Sequence, residues 1–292
     1  MEPPTMNTLQ SFSQIAPRAE LTLGRILLEQ GKLNAQDAER VLRLQKEKNL
    51  RFGEAAVQLG LVTDADMRQA LAQQFDYPYL APGSGDLSPE LVAAYEPFSP
   101  QVEALRALRG QLMLRWFSHN KALAITSAAA TDGASRLTAN LAVVFSQLGE
   151  RTLLIDANLR TPQVSPLFKL ANRMGLSDLL ADRTDVSAIT RIPAFVDLSV
   201  LPAGTEAPNP AELLAREKMQ DLLLVLAGEY DVILIDTPPA TEAADFQAVA
   251  ARTRGALLVT RKHKTRLNDA AGIKAMITAA GAETVGAVLN EV

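Results

Sequence analysis

The sequence predicts an α/β protein, a mostly parallel sheet with helices on both faces, preceded by a small all-α repeat domain. Three observations carry this reading. From residue 121 onward, short runs rich in Val, Ile and Leu alternate with stretches of helical length: KALAITS, RTLLIDA, LSVLPAG, DVILIDTPP, GALLVTR and TVGAVLNEV. That is the pattern of strands buried on both faces. Ahead of them TLGRILLEQGKLNAQDAERVLRLQ is followed by RFGEAAVQLGLVTDADMRQALAQQ, an internal repeat. Between the two halves, YLAPGSGDLSPELVAAYEPFSP is dense in Pro, Gly and Ser, as linkers are.

Taken in order, residues 1–18 are polar and Pro-containing and read as disordered. Residues 19–80 form the helical repeat domain. Gly24 pairs with Gly53, Gly31 with Gly60 and Gln45 with Gln74, each 29 residues apart. Each copy reads as a short helix ending at its second glycine, a cap-like residue (Asn34, Thr63) and a longer amphipathic helix. Residues 81–98 read as the linker, and residues 99–292 as the α/β domain.

Bulk properties narrow the function classes. With 48% hydrophobic and 21% charged residues among 292, the chain is that of an ordinary globular protein with a proper core. A net charge of −4 gives no overall bias toward nucleic acid or anionic membrane. No cysteine is present, so disulfides and thiolate metal sites are excluded and a reducing cytoplasm is expected. Two histidines leave no room for a His-rich metal site. The N-terminal residues lack a signal pattern, and no apolar run approaches ~18 residues, so no direct membrane span is expected.

The chemistry is expected after the first strand. Ala128 to Ser135 has the length of A-x-x-x-x-G-K-[ST], with Gly133 and Ser135 in place and Ala134 where the lysine belongs. Taken alone, a structural turn accounts for it nearly as well. Its context adds weight. RTLLIDANLRTP puts Asp156 at a strand end, followed by Asn158 and Arg160, and YDVILIDTPPATEAAD puts Asp236 at a second. Carboxylates at strand C-termini facing a helix N-terminus suit Mg²⁺ and activation of an attacking hydroxyl. The expected nucleotide contacts are Ala130, Thr131, Asp132, Gly133, Ala134, Ser135, Arg136, Asn158 and Arg160. Ser135, Asp156 and Asp236 are expected to hold the metal, with the two aspartates as catalytic groups.

Loop, LLIDxxLR strand and LIDTPP strand together resemble the bacterial tyrosine kinases of the MinD/ParA-type P-loop class. LPAGTEAPNPAELL resembles that group's LPxGxxPPNPxELL segment, which implies that Pro208, Asn209 and Pro210 lie near the nucleotide. EALRALR fits its E-x-x-R-x-x-R motif at Glu103, Arg106 and Arg109, which implies a ring interface and a homo-oligomer. Spacing alone puts the three on one helical face, where a solvated charged face is the plain alternative. The repeat resembles the N-terminal domain of type II secretion and pilus ATPases, which implies cyclic di-GMP at Arg51, Gly53 and Gln74. Thr22 replaces the arginine of the first copy, and a docking or oligomerisation module is the other reading. The fusion as a whole is similar to the chain-length-determinant kinases of exopolysaccharide loci (EpsG type). That implies a cytoplasmic protein, binding ATP or ADP with Mg²⁺ and recruited to the inner membrane by a polysaccharide co-polymerase.

Three departures bear on activity. Ala134 removes the lysine that neutralises phosphate charge, and Arg136 lies about 200° around the helix from it. Asn158 stands where the family carries a second aspartate, keeping an acceptor but losing charge. The four tyrosines, Tyr77, Tyr79, Tyr95 and Tyr230, form no terminal cluster for autophosphorylation. The expectations are a scaffold with impaired hydrolysis, an active tyrosine kinase, or a partition-type ATPase. The last lacks its signature lysine and an amphipathic membrane helix.

Overall fold

The computed structural model describes residues 23–74, 77–81, 83–171 and 173–291. The stretch 1–18 expected to be disordered, and Thr22, lie outside the described residues. The chain divides into two compact units at Pro78–Tyr79.

Among its described residues the first unit holds four helices: α1 (Leu23–Glu29), α2 (Ala35–Lys48), α3 (Phe52–Gln58) and α4 (Asp64–Gln74). The repeat determines their ends. Gly31 and Gly60 adopt φ of 68° and 67° just after the short helices, a conformation that costs a glycine little. Asn34 Oδ1 then accepts from the Asp37 N–H at 2.8 Å to start α2. At α4 Thr63 and Asp66 cap one another reciprocally, at 3.1 and 3.0 Å. Lys32 reaches Asp66 at 2.8 Å. Hydrogen bonds from Lys32 and then Thr63 hold the Asp66 carboxyl down at about 2. Ile26, Leu27, Val41, Ala55, Ala56 and Ala70 form the core between the helices.

The second unit opens with two helices, α5 (Val92–Tyr95) and α6 (Pro100–Leu112). Next come β1 (Ala122–Ser127), α7 (Ala134–Ser146), β2 (Thr152–Asp156), α8 (Val164–Phe168) and α9 (Leu176–Leu180). The chain continues through β3 (Thr190–Arg191), β4 (Leu198–Leu201), α10 (Pro210–Ala215), α11 (Glu217–Glu229) and β5 (Val232–Asp236). It closes with α12 (Asp245–Thr253), β6 (Gly255–Arg261), α13 (Leu267–Ala279) and β7 (Glu283–Asn290). The seven strands lie in the order β3-β4-β2-β5-β1-β6-β7. Among the described strands only the two-residue β3 is antiparallel. Alternate residues of each central strand enter opposite cores. Leu154, Val232 and Leu234 pack on the α7 side, while Leu153, Ile155, Ile233 and Ile235 pack on the α12 side. Burial of both faces is why these strands read as unbroken apolar runs.

The expected linker is corrected here. Residues 79–98 belong to the second unit, and Leu87, Leu91, Ala93 and Ala94 are buried in its core. Asn140 of α7 holds them. Its Oδ1 accepts from the Ala93 N–H at 2.9 Å, and its Nδ2 donates to the carbonyls of Glu90 (3.0 Å) and Arg136 (2.9 Å). Gln147 Nε2 donates to the Ala93 carbonyl at 3.0 Å. The Pro, Gly and Ser content hid a short apolar stretch, LVAAY, that docks on α7.

Gly255 opens β6 against the buried Trp116 ring, whose Nε1 donates to the Ala122 carbonyl at 3.0 Å. A Cβ at 255 would overlap that ring, which its hydrogen bond keeps from moving. Gly255→Ala is therefore expected to cost about 1–3 kcal/mol through overpacking, read as a shift of the denaturant midpoint at unchanged slope. Full parental stability would show that the ring shifts freely.

Candidate functional site

The site is built where the strand order turns. β1 lies between β5 and β6, and the loop that follows it faces the C-terminal ends of β2 and β5. Ala130–Asp132 make one 3₁₀ turn, Gly133 takes φ of 80°, and α7 starts at Ala134. Asp132 is buried and works inside the loop, where its carboxylate accepts from the Ala129 N–H at 3.0 Å and the Thr265 hydroxyl at 3.2 Å. Asn290 Nδ2 donates to the Asp132 carbonyl at 2.9 Å, and Arg261 to the Thr131 carbonyl at 3.0 Å. Thr237 Oγ1 donates to the Ile125 carbonyl at 2.8 Å, tying β5 to β1. The loop is braced from outside.

In front of it lies a cavity of about 500 Å³. Of the residues expected at the nucleotide, Ala130, Thr131, Gly133, Ala134, Ser135, Arg136 and Asn158 line it. Asp132, Arg160, Pro208, Asn209 and Pro210 do not. Arg160 instead forms a two-pronged pair with the buried Asp245, at 2.8 and 3.2 Å. Asn209 and Pro210 sit at the start of the short α10. Asn158 carries a loop turn, with Nδ2 donating to the Thr161 carbonyl at 3.0 Å and Oδ1 accepting from the Thr161 N–H at 3.1 Å. An aspartate there could accept but not donate. Thr161, Gln163, Thr237, Pro239, Glu242, Ser88 and Glu90 also line the cavity and were missed. Thr237 was within reach of sequence reasoning, since it follows Asp236 directly. Glu90 was not, because it sits in the expected linker.

Asp156 and Asp236 are register partners on β2 and β5, and both are fully buried. Asp156 accepts from the N–H groups of Asn158 and Val164, each at 3.1 Å. Burial nevertheless pushes its carboxyl up to about 7. Asp236 stands well above the usual carboxylate range, through burial first and the charge of Asp156 second. The nearby Ser135 hydroxyl favours its charged form, yet neither Asp236 oxygen has a hydrogen bond of good geometry. A buried acceptor without a partner is costly, and two adjacent carboxylates make it more so. A hard divalent cation is the group that would satisfy them, and Mg²⁺ commonly takes one or two carboxylates plus phosphate oxygens. The residues fit it: Ser135, Asp156 and Asp236 would hold the ion, which would supply charge neutralisation.

Glu103, Arg106 and Arg109 lie on α6. Arg106 bonds Glu103 at 2.8 Å and the Pro97 carbonyl at 2.5 Å, and Arg109 bonds the Val144 carbonyl at 2.7 Å. Both arginines thus serve packing within the chain. In the first unit Arg51 and Gln74 are exposed. A Cβ at Gly53 would meet the flexible tip of the Met67 side chain, which would have to move aside. Among the described residues no helix is long and apolar enough to cross a membrane.

Loop, helix and facing carboxylates define a P-loop NTPase fold of the ParA/MinD kind. A family model described as ParA, NUBPL iron-transfer P-loop NTPase, matches residues 118–291. Tyrosine-protein kinase YwqD of Bacillus subtilis (strain 168) is 35% identical over 201 residues, 68% of this chain and 85% of that protein. The solved kinase domain of Escherichia coli tyrosine kinase ETK superposes with a TM-score of 0.66 at 32% identity, covering 69% of this chain and 80% of that one. The septum site-determining protein MinD complexed with Mg-ADP, from Pyrococcus horikoshii OT3, gives 0.51 at 25% identity, covering 58% and 70%. The chain belongs to the bacterial tyrosine-kinase family of ParA/MinD-type P-loop NTPases. Having no cysteine, it offers no thiolates for the iron chemistry in the family model's description.

Asp236→Asn is expected to stabilise the metal-free protein by about 1–3 kcal/mol, because it removes an unpartnered buried charge. The sign follows from raised folded pKa values. The penalty is absent below the unfolded value of 3.8 and grows as pH rises from there toward the raised folded value. Melting in EDTA from pH 4 to 8 should show the advantage widening with pH. A constant or negative difference would contradict the repulsion.

Proposed function

We propose that the chain is a nucleotide-binding scaffold of the tyrosine-kinase family, with hydrolysis and phosphoryl transfer impaired by Ala134. The observation that carries this is a phosphate loop facing two buried carboxylates, with a methyl group where the loop needs an ammonium. The carboxylates and Ser135 retain the means to hold Mg²⁺ with a nucleotide. The loop lysine that would stabilise charge on the transferring phosphoryl is missing, and one such contact is typically worth about 10²–10³ in rate. Regulated association is then the output. On the EpsG-type resemblance the partner is a membrane polysaccharide co-polymerase, which brings this cytoplasmic protein to the inner membrane for exopolysaccharide chain-length control. Glu103, exposed on α6 beside Arg106 and Arg109, offers a surface for homo-oligomer contacts.

An active kinase is the second reading, favoured by the paired strand-end carboxylates Asp156 and Asp236, one of which would accept the tyrosine hydroxyl proton. ATP turnover with Mg²⁺, measured for the parent and Ala134→Lys, separates the two. The expected result is turnover about 10²-fold or more higher in the variant. Substantial parental turnover would establish the kinase, and turnover in neither would leave a site unfit for hydrolysis in any form.

A further inference from the structure

We infer that Arg136 is the phosphate-binding cation of this site, and that Glu90 competes with the nucleoside di- or triphosphate for it. This rests on the nucleotide-site reading above and adds how the site compensates for Ala134 and how its affinity is set.

Among the described residues that line the cavity, Arg136 is the sole lysine or arginine. It shares that lining with Gly133, Ala134 and Ser135 on the first turn of α7, and a guanidinium stem is long enough to reach a phosphate bound at that loop. Among the described residues its one ion pair is Glu90, at 3.6 Å, and the two side chains are 32% and 57% exposed. A pair that long and that wet is weak. A di- or triphosphate presents more charge and accepts both prongs of a guanidinium, a stronger arrangement than one carboxylate at that distance.

The placement of the pair is built rather than incidental. The Asn140 amide donates to the carbonyls of both Glu90 and Arg136, so one buried side chain sets the two residues side by side. Glu90 comes from the segment docked on α7, and it too lines the cavity. With the site empty, its carboxylate occupies the arginine and adds negative charge where phosphates must enter. With phosphate bound, Arg136 turns to the ligand and Glu90 is released to solvent. The segment 88–91 is thereby coupled to nucleotide binding.

The test is calorimetric titration of the full chain with ADP in Mg²⁺, for the parent, Arg136→Ala, Arg136→Lys, Glu90→Gln and Ala134→Lys. The parent is expected to bind. Arg136→Ala should weaken binding about tenfold or more, and Arg136→Lys by less, since it keeps the charge but loses the fork. Glu90→Gln should tighten it about three- to tenfold, a gain that misfolding cannot imitate. Equal affinity for the parent and Arg136→Ala overturns the role of the arginine. An unchanged Glu90→Gln overturns the competition. If Ala134→Lys binds and the parent does not, Arg136 fails to replace the lysine while the nucleotide site itself stands. Binding by no variant sinks both.

Discussion

Two carboxylates forced side by side at the tips of neighbouring parallel strands constrain everything around them. Asp156 and Asp236 share a register position, so neither can retreat without breaking the β2–β5 ladder that runs through the centre of the sheet. Burial denies them water. The backbone supplies two N–H donors to Asp156 and none to Asp236. The result is a local electrostatic deficit at the centre of the sheet. Deficits of this kind concentrate at functional sites, where the missing partner is a ligand. The loop after β1 is held open toward that deficit by Gly133 and by bonds from Thr265, Asn290 and Arg261.

The segment leading into the P-loop unit has a double character. Its apolar residues close the core under α7, while its polar edge reaches the phosphate cavity through Ser88 and Glu90. Asn140 joins the two roles, since it satisfies buried backbone groups and sets the register of the segment in the same stroke. A buried amide that bridges three backbone groups specifies one arrangement, where an apolar residue would tolerate several.

Much of this was legible in the sequence, and the exceptions are instructive. The strands declared themselves because burial on both faces demands unbroken Val, Ile and Leu. Asp156 and Asp236 were visible because a carboxylate ending such a run is rare. The glycine pairs foretold left-handed helix ends at Gly31 and Gly60. Arg160 misled because a motif gives position but not partner, and here the partner is Asp245 on α12. Asn158 looked like a weakened aspartate until its amide proved to close a turn with Thr161. Glu90 left no trace, because contacts between residues 47 to 54 positions apart, as with Asn140, Gln147 and their partners, have no signature in local composition.

The bond from Asn290 to the Asp132 carbonyl spans 158 residues of sequence. During synthesis β1 and its loop leave the ribosome long before the residues that brace them are made. At roughly 5–20 residues per second, many seconds separate the two events. The loop of a nascent chain therefore lacks this brace until β7 has been made, so its final geometry is set after that of the sheet centre.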